Sequence, residues 1–453
     1  MTELATIVIV NYNGAHLLGP CLDAVLGQDV PAGTFDTVVV DNASHDGSLA
    51  LLAAQYPWAR VIESARNLGF AGGNNLALRQ ISTPYAVLLN NDAVPEPTWL
   101  RHLLAPFDGP DADTLGAVTG KVVFLPRFLR LGFETPGFHP GPHDPRDLGA
   151  RVFTVHVGDR EVTDKVLWER LSYGPEGEGE GRFRWTRPRG DLLVPVQDQT
   201  GALAADETIR FRIAGERSKS VTITGGGLSV TTDVGIEPTD VKISFSAGEP
   251  LVDVINNVGG IVLTNGYGAD RGFQEVDEGQ YDEPVEVFSA CGNGVAVRTS
   301  AGREIDWFDD AFFMYYEDTD LSWRLRARGW SIRYEPAAML RHIHAASSKE
   351  WSPRWVFHVD RNRLLMLVKN AAGPMAVRQV VRYPLSAASM ALRAVREAAR
   401  QRARPALRPH LVRAQVMLSF LRLLAPMITH RRAIARQASV PRAEIERWLV
   451  SGR

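Results

Sequence analysis

An α/β fold on a mostly parallel central sheet is predicted, with a β-rich subdomain inserted into it and a helical C-terminal region after it. Three observations predict this. From Thr6 to about Val123, short β-branched runs alternate with helix-forming stretches, the pattern of parallel strands joined by crossover helices. Residues 126–284 switch to period-two alternation broken by Gly, Pro and Asp clusters. From about Ser352 the chain reads as helix, rich in Arg rather than Lys. The expected parts are 1–125, an insertion over 126–284, a return to mixed structure over 285–370, and a basic helical region over 371–453.

The elements follow in order. TIVIV at Thr6–Val10 is too short for a signal-peptide core and lacks a basic flank, so it reads as a buried strand. HLLGPCLDAVLGQ is the first crossover helix, TVVVDN the second strand, GSLALLAAQY a helix, RVIESA a strand, NNLALRQI a helix and YAVLLNND a strand. Polar residues gather where strands end: Asn11 and Tyr12, Asp41 and Asn42, Asn67, then Asn91 and Asp92. Ligands of open α/β sheets bind at that edge. In the insertion, TIRFRIAG, SVTITGGG, LSVTTDV and DVKISFS suggest a small antiparallel unit without a catalytic constellation.

Composition narrows the classes. With 453 residues, 45% hydrophobic and 23% charged, the chain is an ordinary globular composition too long for one small core. A net charge of -2 argues against a nucleic-acid binder, although it conceals a basic C-terminal segment. Cys21 and Cys291, far apart and in no CxxC spacing, suggest neither a disulfide framework nor structural zinc, and fit a reducing cytoplasm. The longest apolar stretch, Val416 to Ile428, is interrupted by Arg422 and Pro426, so no membrane crossing is expected.

Glu317, Asp318 and Asp320 stand just before LSWRLRARGW, which reads as a helix with one apolar face. Capping and the helix dipole account for one acidic residue there, at about 0.3–1 kcal/mol. Three crowded carboxylates point to a base, a cation or both. In RHIHAASS, His342 and His344 share one face of an extended chain; with Asp92 they make a mixed Asp/His set suited to Mn or Mg. Asn67, Gly72, Gly73, Asn74 and Asn75 in ARNLGFAGGNNLAL open a helix that either binds phosphate or is merely capped. Neither a P-loop nor GxGxxG is present.

Taken in order, VNYNG, VDNASHDGS, NLGFAGGNN, LLNNDAVPEP, FDDAFFMYYEDTDLSWR and RHIH resemble the family 2 glycosyltransferases of the GT-A fold, especially the bacterial rhamnosyltransferase-like branch. The resemblance covers roughly the first 125 residues and Val285 to about Asn370; the long insertion departs from it. It implies a GT-A nucleotide-sugar-binding fold. Val10, Asn11 and Tyr12 would border the nucleotide base and Asp41 would accept from a pyrimidine ring N–H. Asn67 and Gly72, Gly73, Asn74 and Asn75 would lie near ribose and diphosphate. Asn91 and Asp92 would stand at the family's Asp-x-Asp position, with Asp92 and His342 or His344 holding Mg or Mn. Asp318 would be the general base, supported by Glu317 and Asp320.

The implied reaction is inverting transfer from a dTDP- or UDP-sugar, with rhamnose as one donor, to a cell-envelope or polyprenyl-linked glycan. The arginine-rich helices imply docking at an anionic inner leaflet, against the alternative that they pack on the catalytic domain or form a homo-oligomer. Two rivals stand beside this. A nucleotidyltransferase would carry a Gly-rich, basic loop after the first strand, where this chain has NYNGAHLLG. A noncatalytic sugar-nucleotide-binding or scaffold protein would not need Asp318 together with Asp92.

Overall fold

The computed structural model describes residues 3–168, 171–198, 201–203, 208–225, 227–246, 248–343, 351–402, 404 and 407–451. His344 lies outside them. The chain divides into two compact units, the first comprising 1–123, 255–273 and 279–453, the second 124–254 and 274–278.

The first unit is built on a sheet begun by β1 (Ala5–Asn11), β2 (Phe35–Asp41), β3 (Arg60–Glu63) and β4 (Tyr85–Asn90). These pair in parallel in the order β3-β2-β1-β4. The crossovers are α1 (Ala15–Leu26), α2 (Ser48–Gln55) and α3 (Gly69–Leu78). Their alternation with the strands is why the sequence reads as parallel: a parallel pair needs a crossover, and a helix supplies it. Short β5 (Ala93–Pro95), α4 (Trp99–Leu104) and the long β6 (Leu115–Phe124) follow.

Strand residues alternate between two cores. Ile7, Ile9, Val39 and Leu89 join Leu18 and Leu22 of α1 and Trp99 of α4 on one face. Val8, Val38, Val40 and Leu88 join Ala77 and Leu78 of α3 on the other. Strand order reverses between β1 and β4, since β2 and β3 lie to one side of β1 and β4 to the other. A crevice opens at the carboxyl ends of strands at such a switch point.

The second unit starts after β6. Among the described residues, strands β7 to β16 run between Phe128 and Ser244. They form two antiparallel sheets, one centred on Arg151–Val157 and Thr208–Ala214, the other on Phe128–Glu134 and Lys219–Gly225. Their inward residues, including Phe133, Val155, Phe211 and Ile223, make the unit's own core. The insertion is the β-rich unit the alternation suggested, but it ends earlier than 284. β17 (Ile255–Asn257) already pairs with Val122 and Val123 of the first unit's sheet.

From there come β18 (Gly260–Val262), β19 (Gly268–Asp270), β20 (Val285–Glu286), β21 (Gly294–Arg298), α5 (Thr299–Glu304), α6 (Glu317–Ala327) and β22 (Ser331–His342). β21 inserts antiparallel between β4 and β6, and β22 carries β20 and β5 antiparallel beside it. The sheet is parallel where the helices cross over and antiparallel beyond β4.

The C-terminal region does not form a separate part. α7 (Pro353–Asn370), α8 (Gly373–Arg400), α9 (Arg408–Gln437) and α10 (Arg442–Ile445) belong to the first unit. Val416, Phe420 and Met427 of α9 are buried with Leu364, Leu365 and Leu367 of α7. α9 is also more apolar than its interruption at Arg422 and Pro426 suggested. It carries an 18-residue window of mean hydropathy 1.5, of which 22% is buried, and so meets the length and composition of a membrane span. The reason is that Leu411, Leu418, Leu421 and Ile428 form an exposed apolar stripe beside the buried one.

One carboxylate joins these helices. Asp320 of α6, wholly buried, accepts from Arg324 Nε at 2.8 Å, Lys369 Nζ at 2.9 Å and Asn370 Nδ2 at 2.7 Å. Lys369 also reaches Asp309 at 2.8 Å, and Arg324 donates to the carbonyls of Ile305 and Trp307. Removing one member of a buried ion pair leaves the other charge uncompensated. Asp320→Asn should therefore cost about 3 kcal/mol in urea unfolding, the low end of that effect because Lys369 keeps Asp309. A midpoint equal to that of the parent would show that α6 and α7 do not depend on this charge.

Candidate active site

The switch-point crevice is lined with amides. Asn11, buried at the end of β1, accepts from Asn91 Nδ2 at 2.8 Å and donates to Ser48 Oγ at 2.9 Å. Asp41, at the end of β2, accepts the Ser44 N–H at 2.9 Å and is only 2% exposed. Tyr12 is 46% exposed, and Val10 beside it is half-buried. The next loop folds back: Asp46 accepts from the Ala15 N–H at 2.8 Å. Burial would raise the Asp46 pKa, but N–H and O–H donors from Ala15 and Ser48 hold it below the usual carboxylate range.

The glycine and asparagine cluster after β3 is used for packing. Gly69 takes φ +71, and a Cβ there would lie 2.3 Å from the Phe313 carbonyl oxygen; only glycine fits. A Cβ on Gly73 would lie 2.8 Å from Val10, and one on Gly72 2.8 Å from Leu68. Asn67 accepts from the Gly69 N–H at 2.8 Å and from Asn42 Nδ2 at 3.2 Å, pinning the start of α3. Asn74 donates to the Phe70 carbonyl at 2.9 Å. Asn75 donates to the Phe308 carbonyl at 2.9 Å and the Asp310 carboxylate at 2.6 Å. Gly72, Gly73, Asn74 and Asn75 thus let α3 lie close on the sheet and on the 308–313 loop, while Tyr12 and Asn91 keep partly exposed side chains at the polar edge.

A second constellation forms where β4, β5, β21 and β22 end. Asp92 is 7% exposed, and its Oδ1 is buried without a hydrogen bond. His342 Nε2 lies 3.2 Å from that oxygen. On the other side of the ring, Nδ1 is 3.1 Å from Asn256 Oδ1 and 3.3 Å from Asn293 Nδ2. A proton on Nδ1 donated to Asn256 leaves Nε2 facing a carboxylate with a lone pair, and a cation between them satisfies both. Two metal bonds of about 2.1–2.2 Å at a right angle set donor atoms about 3 Å apart, so the pair fits a divalent ion. Among the described residues there is no group of three or more His, Cys, Asp or Glu able to hold a metal, so remaining positions would fall to ligand oxygens and water.

The acidic cluster is held next to this pair by one loop. Gly292 N–H donates to Asp318 Oδ2 at 3.3 Å, and the side chain of the next residue, Asn293, accepts from Asn90 Nδ2 at 2.7 Å. The Cys291 N–H donates to Thr119 Oγ1 at 3.2 Å, fixing the loop over β6. Asn293, Asn256 and Gly292 were not identified as site residues from sequence. The ACGNG stretch at Ala290–Gly294 carried the only local signal, and Asn256 lies in what reads as the insertion.

The start of α6 is reached through a strained turn. Phe313, Tyr315 and Tyr316 have φ of 62°, 68° and 69°, a region that bulky side chains rarely adopt. Asn362 of α7 clamps it, its Nδ2 within 2.7–2.8 Å of the carbonyls of Phe312, Met314 and Tyr315. Glu317 and Asp318 follow. Burial pushes Asp318 above the ordinary carboxylate range, opposed by N–H donors from Thr319 and Gly292. Burial, then the charges of Asp318 and Asp320, push Glu317 well above it, and Glu317 Oε2 has no hydrogen bond. Asp318 remains half-buried. Asp320, expected beside them as a supporting acid, points away into its ion pairs and is closed to a substrate.

Asp318, the Asp92/His342 pair and the amides at the ends of β1 and β4 lie along the sheet edge where ligands of α/β folds bind. Residues 6–166 match the sequence model of glycosyl transferase family 2. The match runs past β6 into the second unit. The pre-mycofactocin glycosyltransferase of Mycobacterium tuberculosis is 33% identical over 107 residues, 23% of this chain and 20% of that protein. The N-acetylglucosaminyl-diphospho-decaprenol L-rhamnosyltransferase of the same species is 40% identical over 67 residues, 15% of this chain and 21% of that protein. The chain thus spans about a fifth of the length of these two relatives. Among solved structures, GalNAc-T7 with UDP, GalNAc and Mn2+ aligns with a TM-score of 0.44 at 10% identity, covering 81% of this chain and 48% of that one.

The raised Glu317 pKa has a measurable sign. Between the unfolded value of about 4.3 and the raised folded value, the folded state keeps a proton that the unfolded state has lost. Stability therefore falls as pH rises through that window. Glu317→Gln removes the dependence, so its Tm relative to the parent should climb by several degrees from pH 5 to pH 8. A relative Tm that is flat over that range would mean Glu317 is ionised in the fold.

Proposed function

We propose that this protein is an inverting glycosyltransferase that moves a sugar from a nucleotide-diphosphate donor to a glycan acceptor. The observation that carries the reading is the Gly292–Asn293 loop, whose backbone holds Asp318 while its next side chain holds the Asp92/His342 neighbourhood. Acid–base and cation-binding groups are thereby brought to one edge of a sheet whose switch point suits a nucleotide. The family match over residues 6–166 supports the same reading.

In this mechanism Asp318 takes the proton from the acceptor hydroxyl as that oxygen bonds to the anomeric carbon. The bond from that carbon to the diphosphate oxygen breaks on the opposite face, and the nucleoside diphosphate departs. The raised Asp318 pKa suits a base poised nearer neutrality. Burial pushes the Glu317 pKa well above the ordinary carboxylate range, which disfavours a second charge beside Asp318. Asp92 and His342 would hold Mg or Mn, which when bound supplies Lewis-acid stabilisation of charge on the departing diphosphate. Asn11, Tyr12, Asp41 and Asn91 would line the nucleoside end.

A dTDP- or UDP-sugar is the proposed donor, with rhamnose suggested by the resemblance and by the name of one relative. A cell-envelope or polyprenyl-linked glycan is the proposed acceptor. Asp318→Asn should lower kcat at least a hundredfold and leave nucleotide affinity within about threefold. Asp92→Asn should weaken Mn binding measured calorimetrically with nucleoside diphosphate present. Full transfer by the Asp318 variant would remove it as the base, and unchanged Mn affinity would remove Asp92 from the metal site.

For location we propose the cytoplasm, peripherally at the inner face of the cell membrane. Val377, Val381, Leu385, Leu392 and Val395 of α8 are exposed. At about 100° per residue they fall within about 80° of the helix circumference. Arg378, Arg382, Arg393 and Arg396 border that stripe on one side, and buried Met375, Gln379 and Tyr383 lie beyond them. An apolar stripe edged by arginines suits an anionic leaflet, each arginine contributing about 1 kcal/mol at low salt. Joint Val381→Asp and Leu385→Asp substitution should abolish sedimentation with anionic vesicles without changing the circular dichroism spectrum. Binding equal to that of the parent would exclude this face.

A further inference from the structure

A cleft of about 510 Å3 lies along α7 and α8 of the first unit, outside the constellation described above. The volume falls within the roughly 300–1,000 Å3 of small-ligand sites. Its wall is aromatic. Trp351 is 77% exposed, and Trp355 lies against it with ring centroids 5.0 Å apart. An exposed indole offers apolar area that a ligand gains by covering.

The floor is polar and buried. Asp360 accepts from Tyr267 Oη at 3.0 Å and from Tyr383 Oη at 2.9 Å, so both of its oxygens are engaged. Arg363, only 3% exposed, stacks 4.2 Å from the Tyr267 ring centre and donates Nη1 to the Asn265 carbonyl. Its Nε is buried without a partner beneath the cleft lining. Arg382 and Arg413 complete the rim. With Asp360 the only acidic residue among the described residues of the lining and three arginines beside it, the cleft favours an anion.

The cleft is one short loop from the catalytic carboxylates. Asn265 and Tyr267 line it, and the adjoining Gly268 N–H donates to Tyr316 Oη at 3.0 Å, immediately before Glu317 and Asp318. Resting on the glycosyl-transfer reading, we propose that this cleft binds the acceptor. Its ligand is a pyranoside bearing a phosphoryl group, with the sugar ring against Trp351 and Trp355 and the anion at the arginines.

Tryptophan fluorescence of the full chain, titrated with a short-chain alkyl pyranosyl diphosphate, tests this without requiring turnover. The proposal expects saturable quenching, at least tenfold weaker with Trp351→Ala and with Arg413→Ala. It also expects at least tenfold weaker binding of the neutral alkyl pyranoside and of inorganic diphosphate. Unchanged affinity in both variants, or no saturable quenching by the parent, would overturn it, as would equal binding by inorganic diphosphate alone. Donor hydrolysis across nucleotide sugars is measured in parallel. Failure there with cleft binding intact strikes the glycosyl-transfer reading, whereas intact hydrolysis without cleft binding strikes the acceptor site.

Discussion

The buried carboxylate of Asp320 is the constraint on which the catalytic half depends. Its partners come from α6 itself and from the end of α7, so one charge fixes the rotation and depth of both helices. α7 in turn carries Asn362, which holds the strained turn that aims Glu317 and Asp318. Positive φ at three bulky residues is unfavourable locally and persists because the surrounding hydrogen bonds over-determine it. The ion-pair hub, the clamp and the acids form one mechanical unit.

The division of labour among the acids follows from burial and partners. Asp320 and Asp309 are each paired with cations and hold the helices together. Asp309 shows this directly: burial would raise its pKa, but His430 and Lys369 pull it below the usual range. Glu317 has burial without a cation, and its pKa is pushed well above the ordinary range. Asp318 is raised by burial against N–H donors from Thr319 and Gly292, and its side chain stays half-buried.

Asparagine does comparable work at the sheet edge. Asn11 with Asn91 ties β1 to the end of β4, and Asn90 with Asn293 ties β4 to the loop before β21. An amide both donates and accepts, so it can crosslink strand ends without adding charge there. The region after α7 extends the same unit through its buried α9 stripe, and its outer faces leave an arginine-edged surface and an aromatic cleft.

The sequence by itself determined the strand and helix alternation, the β-rich character of the insertion, the polar strand ends and the motif order, because these rest on local periodicity and on residues adjacent in the chain. It also marked Asp92, His342 and Asp318 as candidates, by residue type and motif order. Tertiary structure decided the rest. Gly72, Gly73, Asn74 and Asn75 look like a phosphate-binding turn locally, and only the fold shows that they also let α3 pack closely on Val10 and Phe308. Asp320 is indistinguishable from Asp318 in sequence until Lys369, 49 positions later, is seen to reach it. Asn256 and Asn293 join His342 across separations of 86 and 49 residues. Periodicity reports which face a residue occupies on its own element, whereas partners drawn from distant elements are fixed only when the sheet, the loop and α7 close on one another.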